Sequence, residues 1–546
     1  LFSDLCPPAT LAKLGRTTKL RIYGNPVNWT EQLLQSIEIY KRRFQRLNRV
    51  QVSSLSLAIP MRAPDQLTLS DRLKINRVLV GLWQVADIEK DGATIDPETG
   101  AGYLSAYINE GFSTFDMADH YGSAELIAGA MLKHSPATIC TKWCPPPGPM
   151  TADIVRKGVQ DRLDRLGTER IDLLQFHWWS FEHPAWLDAL HEMTQLREEG
   201  LIGEIGVTNF DAAHLQLALS DGIPLVTNQI PFSLLDRRAA GPLAELCAVT
   251  GVRLLAYGTL AGGFLGDRWL GQPEPDTITD WSKMKYKRFI DIAGGWSVYQ
   301  QILRAADQVA RKHQVSISNV ATRWVLENSA VAGVIIGARL GEAQHSADNA
   351  NLFGFALDAE DQELLEAAFQ ASTPLPGDCG DEYRKPPFLT ASGDLSHHLD
   401  EMPRAVEAEP VPGLEGAQRV LSGSEWEDIA GYCRAYKIGE RILVSGTTAT
   451  AGTSRAVATG DAGAQTTFIL DKIAAALSAL GASMSDVVRT RIYLSDADDV
   501  LAVSRAHGRI FGEIKPANTL VEVASLIGDY RVEIEAEALL PADRSD

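Results

Sequence analysis

The chain has 546 residues, 45% hydrophobic and 22% charged, which is the balance of a folded globular protein and argues against a disordered, collagen-like or disulfide-stapled one. A net charge of -19 argues against general nucleic-acid binding, which needs a basic surface to displace counterions. No run approaches the roughly 18 apolar residues of a membrane span, so no integral membrane segment is expected, and six scattered cysteines fit a reducing compartment, the cytoplasm or an organelle matrix or stroma.

Residues 1–75 form a basic extension, with 12 Lys and Arg against 5 Asp and Glu. Within it Leu33, Ile37, Tyr40, Phe44 and Leu47 fall on one helical face beside Lys41, Arg42, Arg43, Arg46 and Arg49. That stretch reads as a targeting remnant, a docked surface helix or a membrane-surface contact. From residue 76 to 370, short β-rich runs alternate with helical stretches. The expected strands are Val78–Trp83, Phe112–Met117, Thr138–Lys142, Asp172–His177, Ile202–Val207, Leu225–Gln229, Val252–Tyr257 and Gly333–Gly337. Expected helices include Ala124–Leu132, Ala152–Leu166, Pro184–Glu199, Ala240–Val249 and Val298–Glu327. Eight β/α units in this length fit an α/β fold, a (β/α)8 TIM barrel, although a doubly wound sheet would alternate in the same way. Residues 371–415 are rich in proline and read as an extended linker. Residues 416–546 read as a small α+β domain, with strands Arg441–Ser445, Val487–Leu494, Thr519–Val523 and Arg531–Leu539 and helices Ala464–Leu480 and Val500–Phe511.

In such a barrel the reacting groups sit at the C-terminal ends of the strands. The second strand end delivers Asp116 and Tyr121, the third Lys142 and the fourth His177. These types suit the reduction of a carbonyl group, whose oxygen needs a proton as its carbon accepts hydride. An unperturbed phenol has a pKa of about 10. Lys142 is expected to lower that of Tyr121, Asp116 to hold Lys142 charged, and His177 to orient and polarise the carbonyl oxygen.

Asp116, Tyr121, Lys142 and His177, in this order and context, resemble the catalytic tetrad of the aldo-keto reductases, and the resemblance covers residues 76–370. It implies a small-molecule carbonyl substrate and an NADP(H) cofactor held without a Rossmann fold. Gly-Val-Thr-Asn-Phe at 206–210 is similar to the segment that holds the nicotinamide carboxamide, through Thr208 and Asn209, with Gln229 sharing the task. Tyr257 matches the ring that stacks on the nicotinamide. Gly258, Leu260 and Gly262 belong to the stretch that wraps the pyrophosphate, and Gly337, Arg339, Asp348 and Asn349 to the element that grips the adenosine end. Where the family often has a basic residue this chain has His345, so Arg339 is expected to meet the 2'-phosphate. Trp83 and Trp178 are expected to line the substrate pocket. His183 lacks a third ligand at suitable spacing, and no metal site is expected.

Residues 416–546 resemble the Rid or YjgF-like family of small trimeric domains, some of which hydrolyse reactive imines. Val-Ser-Gly-Thr-Thr at 444–448, Val-Val-Arg-Thr-Arg-Ile-Tyr-Leu-Ser-Asp at 487–496 and Lys-Pro-Ala-Asn-Thr-Leu-Val-Glu-Val at 515–523 carry the match. Tyr432, Ser445 and Glu533 match pocket positions. Asn518 replaces the arginine that clamps a substrate carboxylate in the deaminating members, and Ser504 replaces a pocket asparagine. A neutral amide cannot form that bidentate clamp, so ordinary imine deaminase activity is not expected. The resemblance implies a homo-oligomer, a trimer through this domain. The alternative to a reductase is a cofactor-binding sensor or scaffold with little turnover.

Overall fold

The computed structural model describes residues 65–89, 92–341, 345–384 and 402–541. The amphipathic stretch at 33–49 lies outside them. The chain enters through a hairpin, β1 (Gln66–Ser70) and β2 (Leu73–Asn76), paired antiparallel. Leu73 and Ile75 join Leu79, Cys140, Leu173, Leu255 and Ala332 in one apolar cluster. The hairpin is therefore part of the barrel's packing, and the extension read as ending at residue 75 ends earlier. Its alternating apolar residues, Leu67, Leu69, Leu73 and Ile75, are the signal that locates it.

Eight parallel strands then close a barrel: β3 (Val78–Gly81), β4 (Thr114–Asp116), β5 (Thr138–Trp143), β6 (Ile171–His177), β7 (Ile202–Thr208), β8 (Leu225–Pro231), β9 (Arg253–Tyr257) and β10 (Val331–Gly337). β10 pairs with β3 to shut the ring. Parallel strands covered on both faces read as nearly continuous apolar runs, which is why all eight were visible in the sequence. Helices Ala124–Leu132 and Ala152–Leu166 have the expected bounds. The second is capped by the Thr151 side chain and stopped by Gly167, which turns into the left-handed region at φ 61°.

The expected helix Val298–Glu327 is two helices, Gly295–His313 and Ile317–Leu326. Gln314 adopts φ 56°, and Ser316 caps the new helix by accepting from the Asn319 amide. Apolar periodicity runs through the break unchanged, so it does not report it.

The proline-rich stretch is only partly a connection. Residues up to 384 pack on the barrel. Arg238 donates to Asp236, to Glu382 at 3.0 Å and to the Asp378 carbonyl at 2.8 Å. The C-terminal sheet runs, neighbour to neighbour, through the strands Ala408–Pro410, Ala417–Val420, Ala435–Ile438, Arg441–Thr447, Val532–Leu539, Val487–Leu494 and Ala517–Glu522. It contains β11 (Ala408–Pro410), β12 (Ala417–Val420), β13 (Ala435–Ile438) and β14 (Arg441–Thr447). A small side hairpin, β15 (Thr450–Ala451) and β16 (Arg455–Ala456), precedes β17 (Val487–Leu494), β18 (Ala517–Glu522) and β19 (Val532–Leu539). β11 lies within the expected linker, so the domain begins before residue 416. Helices Ala462–Ala479 and Val500–Phe511 complete it.

The two domains meet at polar contacts. His214, on helix Ala212–Ser220, lies 2.6 Å from Asp211 and 3.1 Å from Asp471 of the C-terminal domain, and stacks on Phe181. Gln216 and Ser220 donate to Asp461, and Asp221 accepts from Arg455 and the Ala458 amide. Among the described residues no helix is long and apolar enough to cross a membrane.

Candidate active site

The strand ends converge on one cleft of about 520 Å³, lined by Asp116, Tyr121, Lys142, His177, Gln229 and Tyr257 among others. Lys142 Nζ donates to Asp116 Oδ2 at 2.7 Å and to the Met117 carbonyl at 2.9 Å. Asp116 Oδ1 accepts from Gln229 Nε2 at 2.7 Å. Both members of the ion pair are buried. Burial works against the ammonium, but Asp116 and Tyr121 hold Lys142 above its ordinary pKa.

Tyr121 stands with its ring centroid 4.9 Å from Lys142 Nζ. Burial raises its phenol to about 12, outweighing the opposing pull of Lys142, while Asp116 adds to the rise. The expected net lowering is corrected here: the ammonium acts in the expected direction, but desolvation of the tyrosinate is larger. The phenol thus stays protonated through neutral pH and is equipped to donate. His177 is pushed well below its ordinary range, first by burial and then by Arg384, His120 and Lys142. It is a neutral imidazole. Its Nδ1 lies 3.6 Å from Cys144 Sγ, and its buried Nε2 has no hydrogen-bond partner among the described residues.

The rest of the cleft fits a nicotinamide dinucleotide. Thr208, Asn209, Gly258, Leu260, Gly262, Gly337 and Arg339 all line it. The buried hydroxyls of Thr208 and Thr259, like His177 Nε2, have no partner among the described residues, so a polar ligand would satisfy them. Gly258 adopts φ 68°, and a Cβ there would meet the Tyr286 hydroxyl, which keeps the wall open and the backbone close. Arg268, Lys283 and Arg339 also line the cleft, with Lys283 paired to Asp280 at 3.1 Å. Arg339 is paired with Asp87 at 2.7 Å and Asp280 at 3.0 Å.

Several expected site residues fall elsewhere. Asp348 accepts from Ser316 Oγ and Asn319 Nδ2, and neither it nor Asn349 lines the cleft; His345 does. Trp83 lines the cleft and meets Tyr121 edge-on at 5.0 Å. Trp178 does not line it: the ring is buried, stacks on Phe176 and donates to the carbonyls of Ser180 and His183. Its place after a strand end gave no facing, because both faces of the strand are covered.

The sequence reading missed Lys285 and Tyr383. Lys285 lies on helix Trp281–Ile292, which Asp280 caps by accepting from the Lys283 amide. It bonds to the Tyr383 hydroxyl and sits over the Tyr257 ring. Tyr383 also reaches the Tyr257 hydroxyl at 3.2 Å and meets His177 edge-on. Tyr257 in turn donates to Asn209 Oδ1 at 2.9 Å. Arg384 donates to the carbonyls of Asn209 and Trp178. The cap at Asp280 was a usable signal for the helix; nothing local marked Tyr383.

Asp119, His120 and Cys144 bring ligand-type atoms within 4.8 Å of one another. Asp119 already accepts from the Cys144 amide and contacts His120, with the Arg162 guanidinium 3.6 Å away supplying the positive charge.

In the C-terminal domain Tyr432 and Glu533 line a cavity, whereas Ser445 and Asn518 do not. Ser445 Oγ donates to the Cys433 carbonyl, and the exposed Asn518 donates to Thr490.

Comparison with known proteins agrees with this architecture. Residues 77–369 match the family model described as Aldo/keto reductase family, and residues 423–540 match that described as Endoribonuclease L-PSP. The chain is 30% identical over 239 residues to Protein tas of Escherichia coli, covering 40% of this chain and 68% of that protein. It is 30% identical over 179 residues to Flagellar radial spoke protein 5 of Chlamydomonas reinhardtii, covering 29% of this chain but about a third, 34%, of that relative's length. The solved structure of Rv2704, a YjgF/YER057c/UK114 family member from Mycobacterium tuberculosis, is 42% identical and covers 23% of this chain and 99% of that one, with a TM-score of 0.21. The chain belongs to the aldo/keto reductase family, with residues 77–369 as its oxidoreductase domain and a YjgF-like α+β domain after it.

Proposed function

We propose that the barrel reduces an aldehyde or ketone with NADPH, with Tyr121 as the proton donor. When bound, the reduced nicotinamide supplies hydride to the carbonyl carbon. The protein's own part is to bind, polarise and protonate. His177 Nε2, buried and unpartnered, is the group suited to meet the carbonyl oxygen. Tyr121 gives that oxygen its proton, and Lys142, fixed by Asp116, stabilises the tyrosinate left behind. Thr208, Asn209 and Gln229 are the candidates to hold the carboxamide, and Tyr257 to face the ring. Gly258, Leu260 and Gly262 are the candidates for the pyrophosphate. Arg268, Lys283 and Arg339 in the lining are the candidates to favour the phosphate-bearing cofactor over NADH. Trp83 and Tyr383 would flank an apolar or planar substrate.

The observation that carries this reading is the buried Asp116–Lys142 pair beside Tyr121, lining one cleft with a His177 nitrogen that has no partner among the described residues. NADPH oxidation measured across a panel of aldehydes tests it. Tight NADPH binding with no turnover of any carbonyl would favour a sensor.

For the C-terminal domain the reading is a trimerising module without ordinary imine deaminase activity. Asn518 cannot clamp a carboxylate. Exposed Leu443 and Val521 on the sheet support an assembly face. Rapid hydrolysis of fresh 2-iminobutyrate, or a monomer in sedimentation, would each overturn its half of this statement.

A further inference from the structure

A second cavity, of about 1080 Å³, lies between the barrel and the C-terminal domain. Its barrel side includes Met150, His183 and Pro184, residues that a free-standing YjgF-like domain does not have. Its other side is aromatic, with Trp426, Tyr432, Phe468 and Tyr530. Two further groups in that wall stand out chemically, Lys472 and Glu533.

Lys472 projects from helix Ala462–Ala479, next to the Asp471 that ties the helix to the barrel. Its Nζ donates to the carbonyls of Thr450 at 2.8 Å and Thr448 at 3.4 Å. Among the described residues it has no carboxylate within ion-pair distance. A half-buried ammonium normally has one, because the desolvation cost is high. Burial, reinforced by the Arg434 guanidinium, lowers its pKa to about 7, with Glu427 opposing. An amine in that condition is partly neutral in water near neutrality and is a nucleophile. Glu533 makes no hydrogen bond among the described residues, and burial together with Glu535 pushes its carboxyl up, so it is suited to exchange protons.

We propose that this interdomain cavity is a second carbonyl-binding site, in which Lys472 condenses with an aldehyde or ketone carrying an apolar body. Neutral Nζ attacks the carbonyl carbon and forms the C–N bond. The carbonyl π pair moves to oxygen, which takes up the proton released by nitrogen and gives a carbinolamine. The C–O bond then breaks, and the hydroxyl leaves as water with a proton taken from solvent. The nitrogen lone pair closes the C=N bond, and the last N–H proton passes to solvent. Amine and carbonyl give imine and water, with no oxidation or reduction. This goes beyond the reductase reading and does not rest on it.

The test uses the full chain without nicotinamide, hexanal as the probe and cyanoborohydride to trap the imine, followed by peptide mapping. The expected result is a hexyl group on Lys472 whose formation saturates with hexanal and is suppressed by hexanamide, which binds alike but cannot condense. Lys472→Arg is expected to lose the label while keeping NADPH-dependent aldehyde turnover and Tm. Label spread over exposed lysines would overturn the proposal. So would labelling of Lys472 that rises linearly with hexanal and ignores hexanamide, the behaviour of a reactive side chain without a site. Mapping of the wild-type chain decides the matter even if a variant does not fold.

Discussion

Replacing Tyr121 with Phe removes one hydroxyl and little else. The ring keeps its edge-on contacts with Trp83 at 5.0 Å and His120 at 4.8 Å, so packing is preserved. No side chain depends on the hydroxyl for its only hydrogen bond: Lys142 retains Asp116 and the Met117 carbonyl. The stability change should stay within about 1 kcal/mol. Activity should behave very differently. A positioned general acid contributes about a hundredfold to ten-thousandfold, which is about 3–5 kcal/mol of barrel-site transition-state stabilisation. Because burial holds the phenol near 12, wild-type reduction should show no loss from titration of this group at neutral pH. The assay is the fall in NADPH absorbance with a good aldehyde, beside Tm and NADPH affinity from fluorescence quenching. A variant that binds NADPH normally and turns over within about threefold of wild type would refute proton donation by Tyr121.

Lys142→Met should lower stability by about 3–5 kcal/mol, because it leaves the Asp116 carboxylate buried with only amide donors; a thermal melt within a degree or two of wild type would contradict this. Arg339→Ala should weaken NADPH by about tenfold more than NADH, the worth of a charged hydrogen bond, and equal losses for both cofactors in titration would remove Arg339 from the 2'-phosphate. Asp211 and Asp471 raise the pKa of His214 although burial opposes them. Its contribution to the domain contact is therefore full below the ordinary histidine value of about 6.5 and is lost as pH rises through the higher folded value. Hydrogen exchange of helix Ala462–Ala479 should speed up on the alkaline side in wild type, and His214→Gln should flatten that trend; parallel pH profiles would count against it.

The strand ends of the candidate site were legible because a closed parallel barrel writes itself as apolar runs, and Asp116, Lys142 and His177 punctuate those runs where the rim must lie. The direction of a side chain at the rim was not legible. Trp83 and Trp178 look alike in sequence, yet only the first faces the cleft, because the second satisfies its indole N–H on the loop that follows. The Lys285–Tyr383 pair was hidden for another reason. Tyr383 sits beside Glu382, which Arg238 holds, and near Gly380, which adopts φ 91° against the Asn209 backbone, and such long-range anchoring leaves no periodicity. The sign of the Tyr121 shift was misjudged because a sequence shows a neighbouring charge but not the depth at which it lies.

The segment that carries Tyr383 past the site has a practical consequence for dissecting this protein. A barrel cut where the family match stops, at residue 369, would retain every residue of the tetrad yet lose the ring that meets His177 and the guanidinium that binds the Asn209 carbonyl. The smallest faithful reductase fragment therefore runs to at least residue 384, and kinetics on a shorter one would describe a pocket with a wall missing.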